Sequence, residues 1–257
     1  MVTEGAPLPL WLAGEVVADA GGRCLGIDAE PDSIRCGPLT DVAAQDLAAV
    51  MPSGSADEDW RVVLPATSSL ASALLGRGAG GLGNIAAVTT TVDASGSPEA
   101  PHVVILNPDV MHALRPDAAQ LVVSHEVVHA ATGAAAVDLP LWVAEGFADY
   151  VALRQGRVPV QRAASQVLRS VRADGLPSRL PSDDDFSGDR TGLGQTYEAA
   201  WLVFRLMGER YGDAAVVAFY DAVVAGAAVA LALVEQVGVT RDELTAAWRA
   251  DLVRLAG

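Results

Sequence analysis

The pattern of hydrophobic and polar positions divides the chain into a first half with strands and a second half of helices. In the first half, short apolar runs rich in Val, Ile and Thr are typical of strands. Strands are predicted over Trp60–Leu64, Ile85–Val92 and His102–Leu106, and a further one over Leu8–Val17. From Pro116 onward, apolar residues recur every three or four positions, which indicates helices. We therefore expect an α+β fold.

The helices of the second half are marked by apolar spacing and by Pro or Gly near their ends. They are predicted over Pro116–Thr132, Pro140–Leu153, Val160–Ala173, Thr196–Tyr211, Asp213–Ala225 and Arg241–Leu255. Two earlier segments also have helical spacing: one begins at Thr67 or Ser68 and ends at Leu75, and the other is Asp41–Val50. A long polar loop over Leu176–Gln195 interrupts the helical half.

The composition and charge of the chain exclude several classes of protein. Of its 257 residues, 51% are hydrophobic, which suffices for a packed core and rules out an intrinsically disordered chain. With 32 acidic and 17 basic residues, the net charge of −15 repels nucleic acid and anionic membranes. The longest uncharged stretch near the C-terminus, Ala222–Val234, is shorter than the roughly 20 residues that cross a bilayer. We therefore expect neither binding to nucleic acid nor a transmembrane segment.

The two cysteines and the first residues bear on the compartment. Cys24 and Cys36 are too few for a disulfide framework and wrongly spaced for a CxxC site, so two unpaired thiols are favoured over a single bridge. The first residues lack the basic start and apolar core of a secretory signal. The default expectation is a cytoplasmic protein. The sequence leaves its oligomeric state open.

Two of the four histidines lie four residues apart in a segment that reads SHEVVH. On a helix this spacing places both side chains on one face, so His125 and His129 can bind one metal ion. Glu126 lies between them, within reach of a water molecule on that ion, and is the candidate general base. The alternative is a buried helix in which both histidines are satisfied core residues.

A catalytic zinc ion needs a third protein ligand and an open position for water. The next predicted helix contains Glu145 and Asp149, four residues apart among apolar neighbours. A buried carboxylate pair is costly unless something compensates it. A zinc ion on Glu145, with Asp149 holding the free ring nitrogen of a liganding histidine, supplies that compensation. The alternative is a charged face exposed to solvent.

Together these residues resemble a known superfamily of enzymes. HExxH on one helix, followed by W-x-x-E-G-x-A-D-Y on the next, is similar to the gluzincin metallopeptidases, above all to the bacterial peptidase-MA-like group related to thermolysin and aminopeptidase N. The resemblance spans roughly Trp60 to the C-terminus. It implies a zincin-like fold with a small N-terminal sheet that has an edge strand, a pair of zinc-binding helices and a helical C-terminal lobe. It also implies one zinc ion per chain on His125, His129 and Glu145, with Glu126 as the base and Asp149 supporting a ligand.

The resemblance further assigns roles in substrate binding. The strand around His102–Asn107 would be the edge strand that pairs with a bound peptide, with Ile105 and Asn107 as its contacts. Tyr197, at the start of a helix, corresponds to a tyrosine whose hydroxyl donates to the oxyanion in aminopeptidase-like relatives. An aromatic side chain that only packs at the helix start is the alternative for Tyr197. The resemblance also points to the cell envelope rather than the cytoplasm.

The chain departs from these relatives in two respects. Only fifteen residues separate His129 from Glu145, so we expect a tight connection between the two zinc helices. The G-x-M-E-N motif with which aminopeptidase N-like enzymes recognise a free N-terminus is absent. This absence favours an endopeptidase over an exopeptidase.

The sequence thus predicts a zinc metallopeptidase that hydrolyses a peptide or protein substrate. Its metallopeptidase domain is predicted over residues 51–257, and residues 1–50 are interpreted as an N-terminal segment left from an upstream domain. Two alternatives remain open. One is a zinc-bound but inactive scaffold that binds a peptide or protein partner, and the other is a metal-free helical module.

Overall fold

The computed structural model describes residues 5–51, 59–78, 80–97, 99–156, 158–187 and 192–257. The strands are β1 (Val16–Ala18), β2 (Cys24–Ile27), β3 (Arg61–Pro65), β4 (Ala87–Thr91) and β5 (His102–Leu106). The helices are α1 (Cys36–Val50), α2 (Ser68–Leu74), α3 (Pro108–Ala113), α4 (Pro116–Thr132), α5 (Leu141–Leu153), α6 (Val160–Ala163), α7 (Ser165–Asp174), α8 (Leu193–Tyr211), α9 (Asp213–Val224), α10 (Val229–Ala232) and α11 (Arg241–Ala256). The predicted α+β class is confirmed.

The chain divides into two compact units, Met1–Val137 and Asp138–Gly257, and every strand described belongs to the first. Strands β1 and β2 and helix α1 come from the predicted segment 1–50, and the two strands belong to the same sheet as β3 to β5. Every regular element described in the second unit is a helix or a helical turn, joined by loops. The interpretation of residues 1–50 as a remnant of another domain stays a prediction.

Several predicted elements differ from the observed ones. The strand predicted over Leu8–Val17 is wrong for most of its length, since Leu10–Leu12 is a 3-10 turn and β1 begins at Val16. The helix predicted over Val160–Ala173 is divided into α6 and α7, because the backbone of Ala164 leaves the helical region. Strand β2 and helix α3 were not predicted. The predicted Leu176–Gln195 loop contains a 3-10 turn, and its residues 188–191 lie outside the described residues, as do residues 1–4, 79 and 98 of other predicted segments.

The sheet has the order β1-β2-β3-β5-β4, with β2, β3 and β5 parallel and both outer strands antiparallel to their neighbours. Strand β5 is therefore an inner strand, and the predicted edge strand at His102–Asn107 is wrong. Its backbone is paired on both sides, as Ile105 lies opposite Val63 on β3 and Val88 on β4. The physical reason is visible in the sequence, because a continuous apolar run is typical of a strand buried on both faces.

The two residues predicted to contact a peptide instead belong to the core of the first unit. The side chain of Ile105 packs in a cluster with Ala71 and Leu74 of α2. Asn107 is 1% exposed, and its amide group donates to the main-chain oxygen of Ile85 at 2.9 Å while its Oδ1 accepts from Ser68 Oγ. Because neither residue lies at a free edge, the peptide-pairing role predicted for them is wrong.

A series of buried hydrogen bonds fixes α4 against α1. Ser124 Oγ donates to Asp46 Oδ2 at 2.7 Å, and Gln120 Nε2 donates to Ser124 Oγ and to the main-chain oxygen of Leu39, each at 3.0 Å. Asp46 and Ser124 are almost completely buried. Buried polar groups are costly unless they are hydrogen-bonded. These hydrogen bonds therefore fix the position of α4 at Ser124, one residue before His125.

Close packing and a polar cluster fix α5 against α8 and α9. A Cβ atom at Gly146 would lie 2.9 Å from the main-chain oxygen of Ala200, so only glycine lets α5 approach α8 this closely. The Tyr150 hydroxyl donates to Asp213 at the start of α9, and Arg154 Nη2 lies 3.1 Å from the other carboxylate oxygen. These contacts hold the helix that carries Glu145.

The cysteines are joined, contrary to the prediction of two unpaired thiols. Cys24 on β2 and Cys36 at the start of α1 form a disulfide, with their Cα atoms 5.9 Å apart and both side chains fully buried. The chain turns back between them through a 3-10 turn at Pro31–Ile34, which brings the two sulfurs together. The separation of twelve positions in the sequence does not indicate that the chain turns back between the two cysteines.

None of the helices within the described residues is both long enough and apolar enough to cross a membrane.

Replacing both cysteines by alanine should lower the free energy of unfolding by about 3 kcal/mol, because the closed loop restricts the unfolded chain. Urea unfolding of the oxidised protein and of the Cys24→Ala/Cys36→Ala variant measures the difference. Reduced wild type serves as the control and should match the variant. Two free thiols in protein purified without reductant would contradict the disulfide.

Asp213→Asn should lower stability at neutral pH by about 1 kcal/mol, through loss of charge-assisted hydrogen bonds. Burial acts to raise the pKa of Asp213, but hydrogen bonds from Tyr150 and Arg154 outweigh it and hold the pKa below its ordinary value. The contribution is therefore present above about pH 4 and is lost as pH falls through the lowered pKa. Urea unfolding from pH 3 to pH 7 should show the two proteins converging at acid pH.

Asp221 on the same helix is the matched control for this comparison. Burial raises the pKa of Asp221, so its charged form is disfavoured in the folded protein. Asp221→Asn should therefore cause no loss of stability at pH 7. An equal loss in both variants would show that the charge of Asp213 is not responsible.

Candidate metal centre

Helix α4 brings His125 and His129 together on one face. The helix begins at Pro116 and ends before Gly133, whose left-handed backbone (φ 66°) closes it. The Nε2 atoms of the two histidines lie 3.1 Å apart, and their ring planes make an angle of 80°. Two nitrogen ligands of one tetrahedral zinc ion, each about 2.05 Å from the metal, lie about 3.3 Å apart. The observed distance therefore fits a shared metal ion with only a small adjustment.

The same distance also fits a hydrogen bond between the two rings. In that arrangement one Nε2 carries a proton and donates it to the other, which must be unprotonated. Metal binding instead requires both Nε2 atoms to be unprotonated and directed at the cation. The two interpretations differ in metal content, which can be measured directly.

Glu145 on α5 is the third member of the group. One ligand atom from each of His125, His129 and Glu145 lies within 4.8 Å of the others, and the structure describes no other group of three or more His, Cys, Asp or Glu residues that could hold a metal in this way. Both His125 and Glu145 are half-buried. Two imidazoles and one carboxylate are the donor set of one class of catalytic zinc site, so the residues present fit zinc.

Glu126, the predicted base, is held by a residue that the sequence did not single out. Thr89 Oγ1 on β4 lies 2.7 Å from Glu126 Oε2 and 3.0 Å from the main-chain oxygen of Glu126. Threonine is common in strands, and Thr89 is one of three in succession, so no local signal distinguishes it. Only the packing of β4 against α4 places this hydroxyl at the carboxylate.

The other two predicted site residues lie where the sequence places them, and their roles stay predictions. Asp149 is half-buried on α5, one turn after Glu145. Tyr197 lies in the second turn of α8, where its ring packs edge-on against Phe186 with ring centroids 5.3 Å apart. This contact is the one expected from the alternative interpretation, in which Tyr197 only packs at the start of the helix.

Comparisons with known proteins gave no match to a family model, to a curated protein or to a solved structure. The case for a metal centre therefore rests on the residues themselves. The resemblance to gluzincins stays a prediction from two helical segments.

Wild-type protein purified without added metal should contain about one zinc ion per chain. His129→Ala and Glu145→Ala should contain much less, because each removes one of three ligands. His112→Ala and Glu99→Ala remove the same residue types at exposed positions and should keep the metal. Elemental mass spectrometry gives the zinc content of all five proteins. Wild type that stays metal-free after incubation with zinc, or Glu145→Ala with full occupancy, would contradict the three-ligand site.

Proposed function

We propose that the protein is a zinc-dependent metallopeptidase with a zincin-like fold. His125, His129 and Glu145 would hold the metal, and Glu126 would act as general base. The observation that carries this proposal is the group of three ligand atoms within 4.8 Å, with Glu126 directly after the first ligand on the same helix. The substrate class is a peptide or protein, and the absence of a G-x-M-E-N motif favours internal bonds.

A zinc ion at this site would polarise the scissile carbonyl and lower the pKa of a bound water molecule. The Glu126 carboxylate then takes a proton from the attacking water as its oxygen adds to the carbonyl carbon. The same side chain delivers that proton to the amide nitrogen, so that the C–N bond breaks and a free amine leaves. The Tyr197 hydroxyl is our candidate donor to the negative oxygen of the tetrahedral intermediate.

The disulfide supports a location outside a reducing compartment. Disulfides persist in oxidising environments and are rare in the cytosol of most organisms. The buried Cys24–Cys36 bond therefore favours the cell envelope, to which the gluzincin resemblance also points, over the cytoplasmic default. We include an oxidising compartment in the proposal for this reason.

Glu126→Gln should remove hydrolysis while leaving zinc bound, because glutamine keeps the shape of the side chain but cannot accept the proton. General base catalysis contributes about 10²- to 10⁴-fold, so kcat/KM should fall by at least about 100-fold. The assay uses quenched fluorogenic peptides with both ends blocked, alongside zinc content. Asp117→Asn makes the same acid-to-amide change at an exposed position of α4 and should retain wild-type activity.

The outcomes separate the proposal from its alternatives. Retained hydrolysis in Glu126→Gln would exclude Glu126 as the base. A wild-type protein that is fully loaded with zinc but cleaves no peptide of a broad library would favour the inactive scaffold. A wild-type protein whose stability is unaffected by chelators and that takes up no zinc would favour the metal-free helical module.

A further inference from the structure

Strand β4, one of the two edge strands of the sheet, directs a hydroxyl group at the proposed general base. Thr89 on β4 and Glu126 on α4 are both half-buried, and their closest atoms, Thr89 Oγ1 and Glu126 Oε2, are 2.7 Å apart. A threonine hydroxyl has one proton, and the main-chain oxygen of Glu126 is a second acceptor at 3.0 Å. The contact with Oε2 is the shorter of the two, and a carboxylate oxygen accepts a stronger hydrogen bond than a peptide carbonyl does.

The register of the sheet determines where this hydroxyl lies. Thr89 is paired with Val104 on β5, which is in turn paired with Val62 on β3, so the three side chains share one face of the sheet. Successive side chains of a strand point to opposite faces, and Thr90 therefore points away from Glu126. The hydroxyl of Thr91 accepts a hydrogen bond from the main chain of Gly96. Among the three threonines, Thr89 is the one that contacts the carboxylate.

A glutamate side chain on a helix has several rotamers, and proton transfer requires one of them. Fixing such a side chain costs conformational free energy, which a pre-formed hydrogen bond offsets before substrate binds. Threonine is β-branched and stiff at χ1, so its hydroxyl is a rigid anchor. A bond to Oε2 leaves Oε1 as the oxygen that exchanges protons.

We infer that Thr89 is a positioning residue that fixes the carboxylate of Glu126 in the orientation proton transfer needs. This inference rests on the proposed peptidase function. In this role Thr89 acts through Glu126 and needs no contact with the metal ligands or the substrate. Removing its hydroxyl should therefore slow turnover and leave metal binding intact.

Three variants test the inference. Thr89→Val removes the hydroxyl at nearly constant volume and should lower kcat about 10- to 100-fold, with KM changed less than about threefold and zinc content unchanged. Thr89→Ser restores a hydroxyl and should bring kcat back to within about threefold of wild type. Thr90→Val makes the same exchange on the opposite face of β4 and should behave as wild type. Peptide hydrolysis, zinc content and thermal unfolding are measured for each protein.

Crystal structures of zinc-loaded wild type and Thr89→Val give a readout that does not depend on activity. The Glu126 carboxylate should contact Thr89 in wild type and adopt a different or mixed rotamer in the variant. The same single rotamer in both proteins would overturn the inference, whether or not the protein cleaves peptides.

The kinetic outcomes distinguish failure of the inference from failure of the proposed function. An active wild type with a fully active Thr89→Val variant overturns the role of Thr89 and leaves the peptidase proposal standing. Loss of zinc in Thr89→Val, or equal loss of kcat in Thr89→Ser, also overturns it, since either result indicates a merely structural residue. A wild type without hydrolysis contradicts the peptidase proposal, and the two crystal structures then decide whether Thr89 fixes the carboxylate.

Discussion

The buried hydrogen bond from Ser124 to Asp46 is the interaction on which the first unit's part of the candidate centre depends. A helix with His125, Glu126 and His129 on one side can keep these side chains in place only if its other side is fixed. Apolar packing alone would permit small rotations, whereas a hydrogen bond to a fully buried carboxylate allows one position. The position of the neighbouring residue, His125, is fixed along with that of Ser124.

The second unit fixes the helix that carries Glu145 by a different kind of contact. Helix α5 is held by close approach, because Gly146 has no side chain to separate it from α8, and by the Tyr150–Asp213 contact one turn beyond Glu145. Ser124 lies directly before His125 in the sequence, and Gly146 lies directly after Glu145. In each unit, a residue that is not a candidate ligand thus fixes the position of the candidate ligand next to it.

The predictable part of this protein is the part that depends on local periodicity. The spacing of His125 and His129 sufficed to place both rings on one face. The periodicity of apolar residues likewise predicted the bounds of α4 and α5 nearly to the residue. Strand β5 was assigned correctly as a strand, but its place in the sheet was wrong, although its unbroken apolar sequence already indicated an inner strand.

The unpredicted part depends on contacts between residues far apart in the sequence. Thr89 meets Glu126 across 37 positions, and Asp46 meets Ser124 across 78. The Cys24–Cys36 bond spans only 12 positions, yet it needs a strand, a turn and a helix to be placed together. No spacing rule describes such contacts, because they are set by sheet register and helix packing.

The position of Thr89 at the rim of the sheet has a consequence for local stability. Strand β4 is hydrogen-bonded to one neighbouring strand, whereas β5 is bonded to two, so β4 opens at a lower free energy than the strands inside it. An opening of β4 would separate the Thr89 hydroxyl from Glu126. If Thr89 orders the Glu126 carboxylate, the share of molecules with an ordered carboxylate follows the local stability of β4, and slower amide exchange along β4 would accompany a more fully ordered site.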